Sequence, residues 1–155
     1  MRDKRFIAEH RGGLLKKEQH RQLMEWGCDC AEHVLYLSGK EIDKRLEYAI
    51  IVAKEWIKGN ASVGDTRDAS VGAHMVARET SNSTSIAVAR SVGHAVATAH
   101  MADHSLGAAL YALKAVKSAG KSIEVERTWQ NEQLPAEIME FVKTARNKKE
   151  KALKI

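Results

Sequence analysis

The stretch Ser91–Lys114, SVGHAVATAHMADHSLGAALYALK, decides the fold class. It has no strand alternation. Its leucines, Leu106, Leu110 and Leu113, recur at helical spacing, and the rest is mostly alanine and glycine around His94, His100, Asp103 and His104. Small residues let helices approach closely. A polar group among them is either satisfied inside a tight helix contact or exposed in a cleft, so these histidines are either structural or the site.

Working outward, the chain reads as helices broken by good punctuation. Lys17 to Leu37 places Leu23, Trp26, Cys30, His33, Val34 and Leu37 at helical spacing and stops at Ser38-Gly39. Ser38 with Glu41 makes a capping box for a second helix, whose apolar stripe from Ile42 through Leu46, Ile50, Ala53 and Ile57 ends at Gly59-Asn60. Ser62 with Asp65 repeats the box and opens a third helix to about Glu79. A fourth runs from about Thr84 to Met101, and Asp103-His104-Ser105 forms a turn or cap before a fifth that closes at Gly120. Ser122–Gln133 is a sixth, and Pro135 sits in the first turn of a last helix that turns Ile138, Phe141 and Val142 inward. The pattern predicts an all-α protein, a single compact bundle of about six to seven helices with short connections. Residues 1–148 form one helical domain, and residues 149–155 are a charged, frayed tail.

Composition agrees: 155 residues fit one domain, and one proline with 5% aromatics argues against both disordered linkers and β-sandwiches. No apolar run is long enough to span a bilayer and no secretory leader is evident, so the expected location is the cytoplasm. The net charge of +5 suits an acidic partner. Cys28 and Cys30 point about 200° apart around one helix and are expected to be reduced packing residues.

The titratable residues form two constellations. His100 and His104 are spaced i, i+4 and share a face if one helix continues through Asp103, whereas His94 is rotated about 120° away. A third metal ligand would have to come from His94, His74, Asp65 or Glu79. Three readings stand: buried or capping histidines, a metal site, or a polar binding cleft. In the third helix Arg67, Val71, His74 and Arg78 fall at i, i+4, i+7 and i+11. That face either grips anions or is neutralised internally by Asp65, Asp68 and Glu79. Arg90 and His94, at i and i+4, complete either arrangement. No GxSxG, HExxH, Walker loop or dinucleotide fingerprint is present, so no cofactor and no metal is expected. Gly12-Gly13 reads as a turn after a basic arm that packs Phe6 and Ile7 into the bundle.

At DKRFIAEHRGG, ASVGDTRDASVGAHMVARE, ARSVGHAVATAHMADHSLGAALYALKAV and WQNEQLP the chain resembles the bacterial immunity proteins that carry the immunity-protein-five-like domain of polymorphic toxin systems. The resemblance runs from about Asp3 to Val142. It implies a small all-α protein that binds and neutralises a cognate toxin by occlusion. It brings no catalytic residues. Arg67, Asp68, His74, Arg78, His94, His100, Asp103 and His104 match its motifs as candidate binding or structural positions, with Arg90 beside them.

Three functions of different class follow. As a binding protein the chain would occlude an unidentified protein toxin, with Trp129 either an anchor or a core residue. As a metal- or histidine-dependent hydrolase it would use His74, His94, His100 and His104. A nucleic-acid-associated protein would use the basic arm and tail, which lack interleaved aromatics. The small-residue helices also allow a homo-oligomeric contact.

Overall fold

The computed structural model describes residues 2–155, and among them it contains seven α-helices and no strand. They are α1 (Lys17–His33), α2 (Lys44–Ile57), α3 (Val63–Arg78), α4 (Ser83–Ala97), α5 (His104–Ser118), α6 (Ile123–Glu132) and α7 (Ala136–Leu153). None is long and apolar enough to cross a membrane among the described residues.

The bundle is built around α4, which packs against α1, α2, α3 and α5. A helix enclosed on that many sides must be small on nearly every face. Ala87, Val88, Ala89, Ser91, Val92, Gly93, Ala95, Val96 and Ala97 are all buried there. The approach is close enough for side-chain hydroxyls to reach the next backbone. Ser91 Oγ donates to the Ala108 carbonyl at 2.7 Å, and Ser70 Oγ donates to the Gly93 carbonyl at 3.0 Å.

The helix ends follow capping chemistry, with two departures from expectation. The Ser62–Asp65 box forms: Asp65 N–H donates to Ser62 Oγ and Ser62 N–H to Asp65 Oδ2. The Ser38–Glu41 box does not, because α1 ends at His33 and Leu35–Ser38 winds into a 3-10 turn in which Ser38 Oγ donates back to the Leu35 carbonyl. Asp43 caps α2 instead, accepting from Arg45 N–H. The second departure is α4, which stops at Ala97 where Met101 was expected. Thr98 to Met101 form a turn with His100 N–H and Met101 N–H both donating to the Ala97 carbonyl.

The N-terminal arm folds back on the bundle through 3-10 turns at Lys4–Phe6 and Glu9–Arg11. Gly12 sits at φ 87°, a left-handed turn that costs glycine little. Leu14 N–H then donates to Lys4 O and Leu15 N–H to Ile7 O. Phe6 is buried edge-on against Phe141 of α7, 5.2 Å between ring centroids.

The segment expected to fray is helical to Leu153. Ile138, Val142, Arg146 and Glu150, each four residues apart, share one inward stripe, and all four are buried. Arg146 Nη1 donates to Gln130 Oε1 at 3.2 Å and Nη2 to Asn131 Oδ1 at 2.5 Å. Its Nε lies 3.4 Å from Glu150 Oε2, close enough to pair but too poorly aligned to hydrogen-bond. Glu150 also accepts from Arg127 Nε at 2.8 Å and from Nη2, while Gln130 donates to the Ala109 carbonyl at 3.0 Å and accepts Trp26 Nε1–H at its own carbonyl at 2.9 Å. This arginine knot ties α6 and α7 to α1 and α5.

Candidate functional site: a histidine row across three helices

Four of the candidate residues meet where α3, α4 and α5 adjoin. His74 projects from α3, His94 from α4 and His104 from the first position of α5, and their rings follow one another at centroid distances of 5.4 and 5.1 Å. His100 stands 5.4 Å beyond His104. The i, i+4 argument for His100 and His104 does not hold: α4 has ended, His100 lies in the connection, and tertiary packing brings the rings together.

Two glycines make room for the row. A Cβ on Gly93 would lie 2.7 Å from the His74 ring, and a Cβ on Gly107 would lie 2.8 Å from Cγ and Nδ1 of His94. Tyr111 stacks with His94, 5.2 Å between ring centroids and 12° from parallel.

Donor and acceptor logic fixes the protonation. Arg90 Nη1 lies 2.7 Å from His74 Nδ1. A guanidinium can only donate, so that nitrogen accepts, and His74 is a neutral imidazole carrying its proton on Nε2. His94 Nδ1 and His104 Nδ1 are 2.9 Å apart, which requires one to donate and the other to accept, so at most one of the two rings is charged while they touch. Burial, reinforced by Arg90 and Arg78, pushes His74 down to about 4; burial, reinforced by His104 and His74, does the same to His94. Burial also lowers His100, helped by His104 and Arg67. It lowers His104 against the opposing pull of Asp103. The row is thus uncharged near neutral pH, which is how imidazoles survive desolvation without carboxylate partners.

The remaining candidates separate from the row. Of the two readings of the Arg67–Arg78 face, internal neutralisation by Asp65, Asp68 and Glu79 does not form among the described residues. Asp65 is engaged in the Ser62 cap, and Glu79 accepts from Arg45 at 2.8 and 3.1 Å. Arg67 and Arg78 are exposed and make no ion pair among the described residues. Asp103 pairs with Arg2, at 3.1 Å, rather than with a histidine. Among the described residues no group of three or more His, Cys, Asp or Glu is arranged to hold a metal.

A second polar cluster has no signature in the sequence. His33 stacks flat on Trp129, 3.5 Å apart and 4° from parallel, and its Nδ1 is 2.7 Å from Glu126 Oε2, so Trp129 is half-buried under an imidazole. Nothing in the local pattern pairs residues 93 positions apart.

Small-residue contacts around α4 and an uncharged histidine row at its end define the class, an all-α bundle. The family described as "Imm-5 like putative immunity protein" matches residues 13–137, and the chain belongs to that family. No curated protein and no solved structure matches the chain.

Proposed function

We propose that the protein binds a cognate bacterial toxin and neutralises it by occlusion, acting in the cytoplasm of the cell that makes both. Membership of an immunity-protein family carries this reading. The outer surfaces of α2 and α3 support it: Tyr48, Ile51, Val71 and Met75 are all exposed there. Arg67 and Arg78 flank Val71 on its own helix face. Tyr, Met and Arg are enriched at protein interfaces, and Tyr48, Met75, Arg67 and Arg78 supply them here. Two arginines without internal partners, on a chain of net charge +5, suit an acidic toxin surface. In this reading His74, His94 and His104 hold the face from beneath, and Arg67 and Arg78 make the contact.

The test is a nuclease-treated pull-down with the tagged protein from a culture expressing the toxin locus, read by mass spectrometry. One stoichiometric protein partner, lost with Val71→Asp plus Arg67→Glu at an unchanged Tm, is the expected result. Capture of no stoichiometric partner refutes the toxin reading. Equal capture by the double variant refutes the choice of face.

A further inference from the structure

A cavity of about 730 Å³ opens between the N-terminal arm, the starts of α1 and α3, the end of α2 and the α4–α5 connection. Nothing in the toxin reading uses it. Its body is apolar, with Phe6, Leu15, Trp56, Ala99 and Met101 among the lining residues. Its charged lining is one-sided: Arg2, Arg11, Lys17 and Arg21 face a single carboxylate, Glu9. Arg2 is committed to Asp103, and Arg21 stands 3.8 Å from Glu18. Arg11 and Lys17 are exposed and make no ion pair among the described residues. The wall also contains His100, whose Nδ1 is buried without a hydrogen-bond partner among the described residues.

The cavity is held open by construction. The arm that forms one side is latched by its Leu14–Lys4 and Leu15–Ile7 backbone bonds, by Phe6 against Phe141 and by Arg2 on Asp103. Gly13 lets the arm double back, since a Cβ there would lie 2.0 Å from the Ile7 carbonyl oxygen. A preformed, mostly apolar cavity within the range of about 300–1,000 Å³, with a few polar groups of one sign, is the usual form of a small-molecule site.

We propose that this cavity binds a small organic anion, a carboxylate or sulfonate on an aromatic or branched aliphatic body. The body lies against Trp56 and Leu15, and the anionic group meets Arg11 and Lys17. A neutral ligand would leave the two cations unused, and an inorganic anion would leave the apolar wall wet. None of Tyr48, Ile51, Arg67, Val71, Met75 and Arg78 lines the cavity, so each proposal is tested by its own variants.

The probe is 8-anilinonaphthalene-1-sulfonate, an aromatic anion, titrated into the intact protein with fluorescence and calorimetry. One saturable site is expected, with energy transfer from tryptophan that drops in Trp56→Phe. Arg11→Ala with Lys17→Ala is expected to weaken binding about three- to ten-fold. Ala61→Trp, which fills the cavity, should abolish binding, and Met75→Ser on the distant apolar face should not change it. 4-Phenylbutyrate should displace the probe where 4-phenylbutylamine does not. Near-UV circular dichroism checks that each variant is folded, and if Ala61→Trp is not, the charge variants and the acid–amine pair carry the test. Unsaturable binding, indifference to the Arg11 and Lys17 changes, or equal displacement by the amine overturns the proposal.

Discussion

The histidine row and the arginine knot are both polar clusters enclosed by helices, and they meet the cost of desolvation in opposite ways. In the row, the imidazoles give up charge: His74 accepts from Arg90 as a neutral base, and glycine faces bring the rings into contact. In the knot charge is kept, and Arg146, at 1% exposure, is met by Gln130, Asn131 and Glu150, with Arg127 completing the carboxylate's partners. A neutral cluster depends on shape and a charged one on completeness. The row should therefore be sensitive to added atoms and to protons, and the knot to any lost member.

The largest effect is expected in the knot. Arg146→Ala leaves Glu150 buried with half its compensation and should cost about 3–5 kcal/mol in a urea melt. Arg146→Met with Glu150→Met should recover most of that loss. If the single and double variants are equally unstable, the knot acts through packing rather than charge.

Acid should break the row. His74 and His94 titrate near 4 in the folded chain, below the ordinary histidine value of 6.5. The unfolded chain therefore binds more protons between those values, and the contribution present above about pH 6.5 is lost as pH falls towards 4. With the solvent-exposed parts of the rings discounted, the loss is on the order of 3 kcal/mol between pH 7.5 and 4. Asp29 opposes it, because burial and neighbouring Glu25 and Glu32 raise its carboxyl to about 6, so its penalty is relieved as pH falls. The difference profile between wild type and His94→Gln removes that offset. A flat difference would mean that His94 is not held neutral.

Steric predictions sharpen the same contrast. Gly107→Ala drives a methyl into the root of the His94 side chain, which cannot swing away, and should cost about 1–3 kcal/mol. Gly27→Ala is the control on the same packed interior. Its added methyl meets Ala108 and Ser105 at 3.6 Å, an ordinary contact, so lower backbone entropy in the unfolded chain should raise stability by about 0.5–1 kcal/mol. A destabilised Gly27→Ala would place the tight packing beyond the row.

The helices were legible because their signals are local. The Ser62–Asp65 box, the small faces of α4 and the leucine stripe of α5 each need only a few neighbouring residues to be read. The Ser38–Glu41 box misled because a competing local bond, Ser38 to the Leu35 carbonyl, was equally available to the same side chain. The histidines were recognisable as a group, yet their geometry was not, since the row is assembled from three helices. Arg78 looks neutralised in sequence because Glu79 adjoins it, but the partner of Glu79, Arg45, is 34 residues away. The tail looked solvated because lysine dominates its composition. The i+4 ladder Ile138–Val142–Arg146–Glu150 was the available clue, and it is obscured because its last two members are charged.

Cys28 and Cys30 are free and fully enclosed in α1, and burial raises Cys28 to about 12 and Cys30 well above its ordinary range. A thiol so placed reacts only through its thiolate, and only after the surrounding helices part. The pair is thus a built-in clock. Labelling by a small disulfide reagent under native conditions should report how often α1 leaves the core, and a partner docked on a distant face should slow that clock by the factor with which it stabilises the fold.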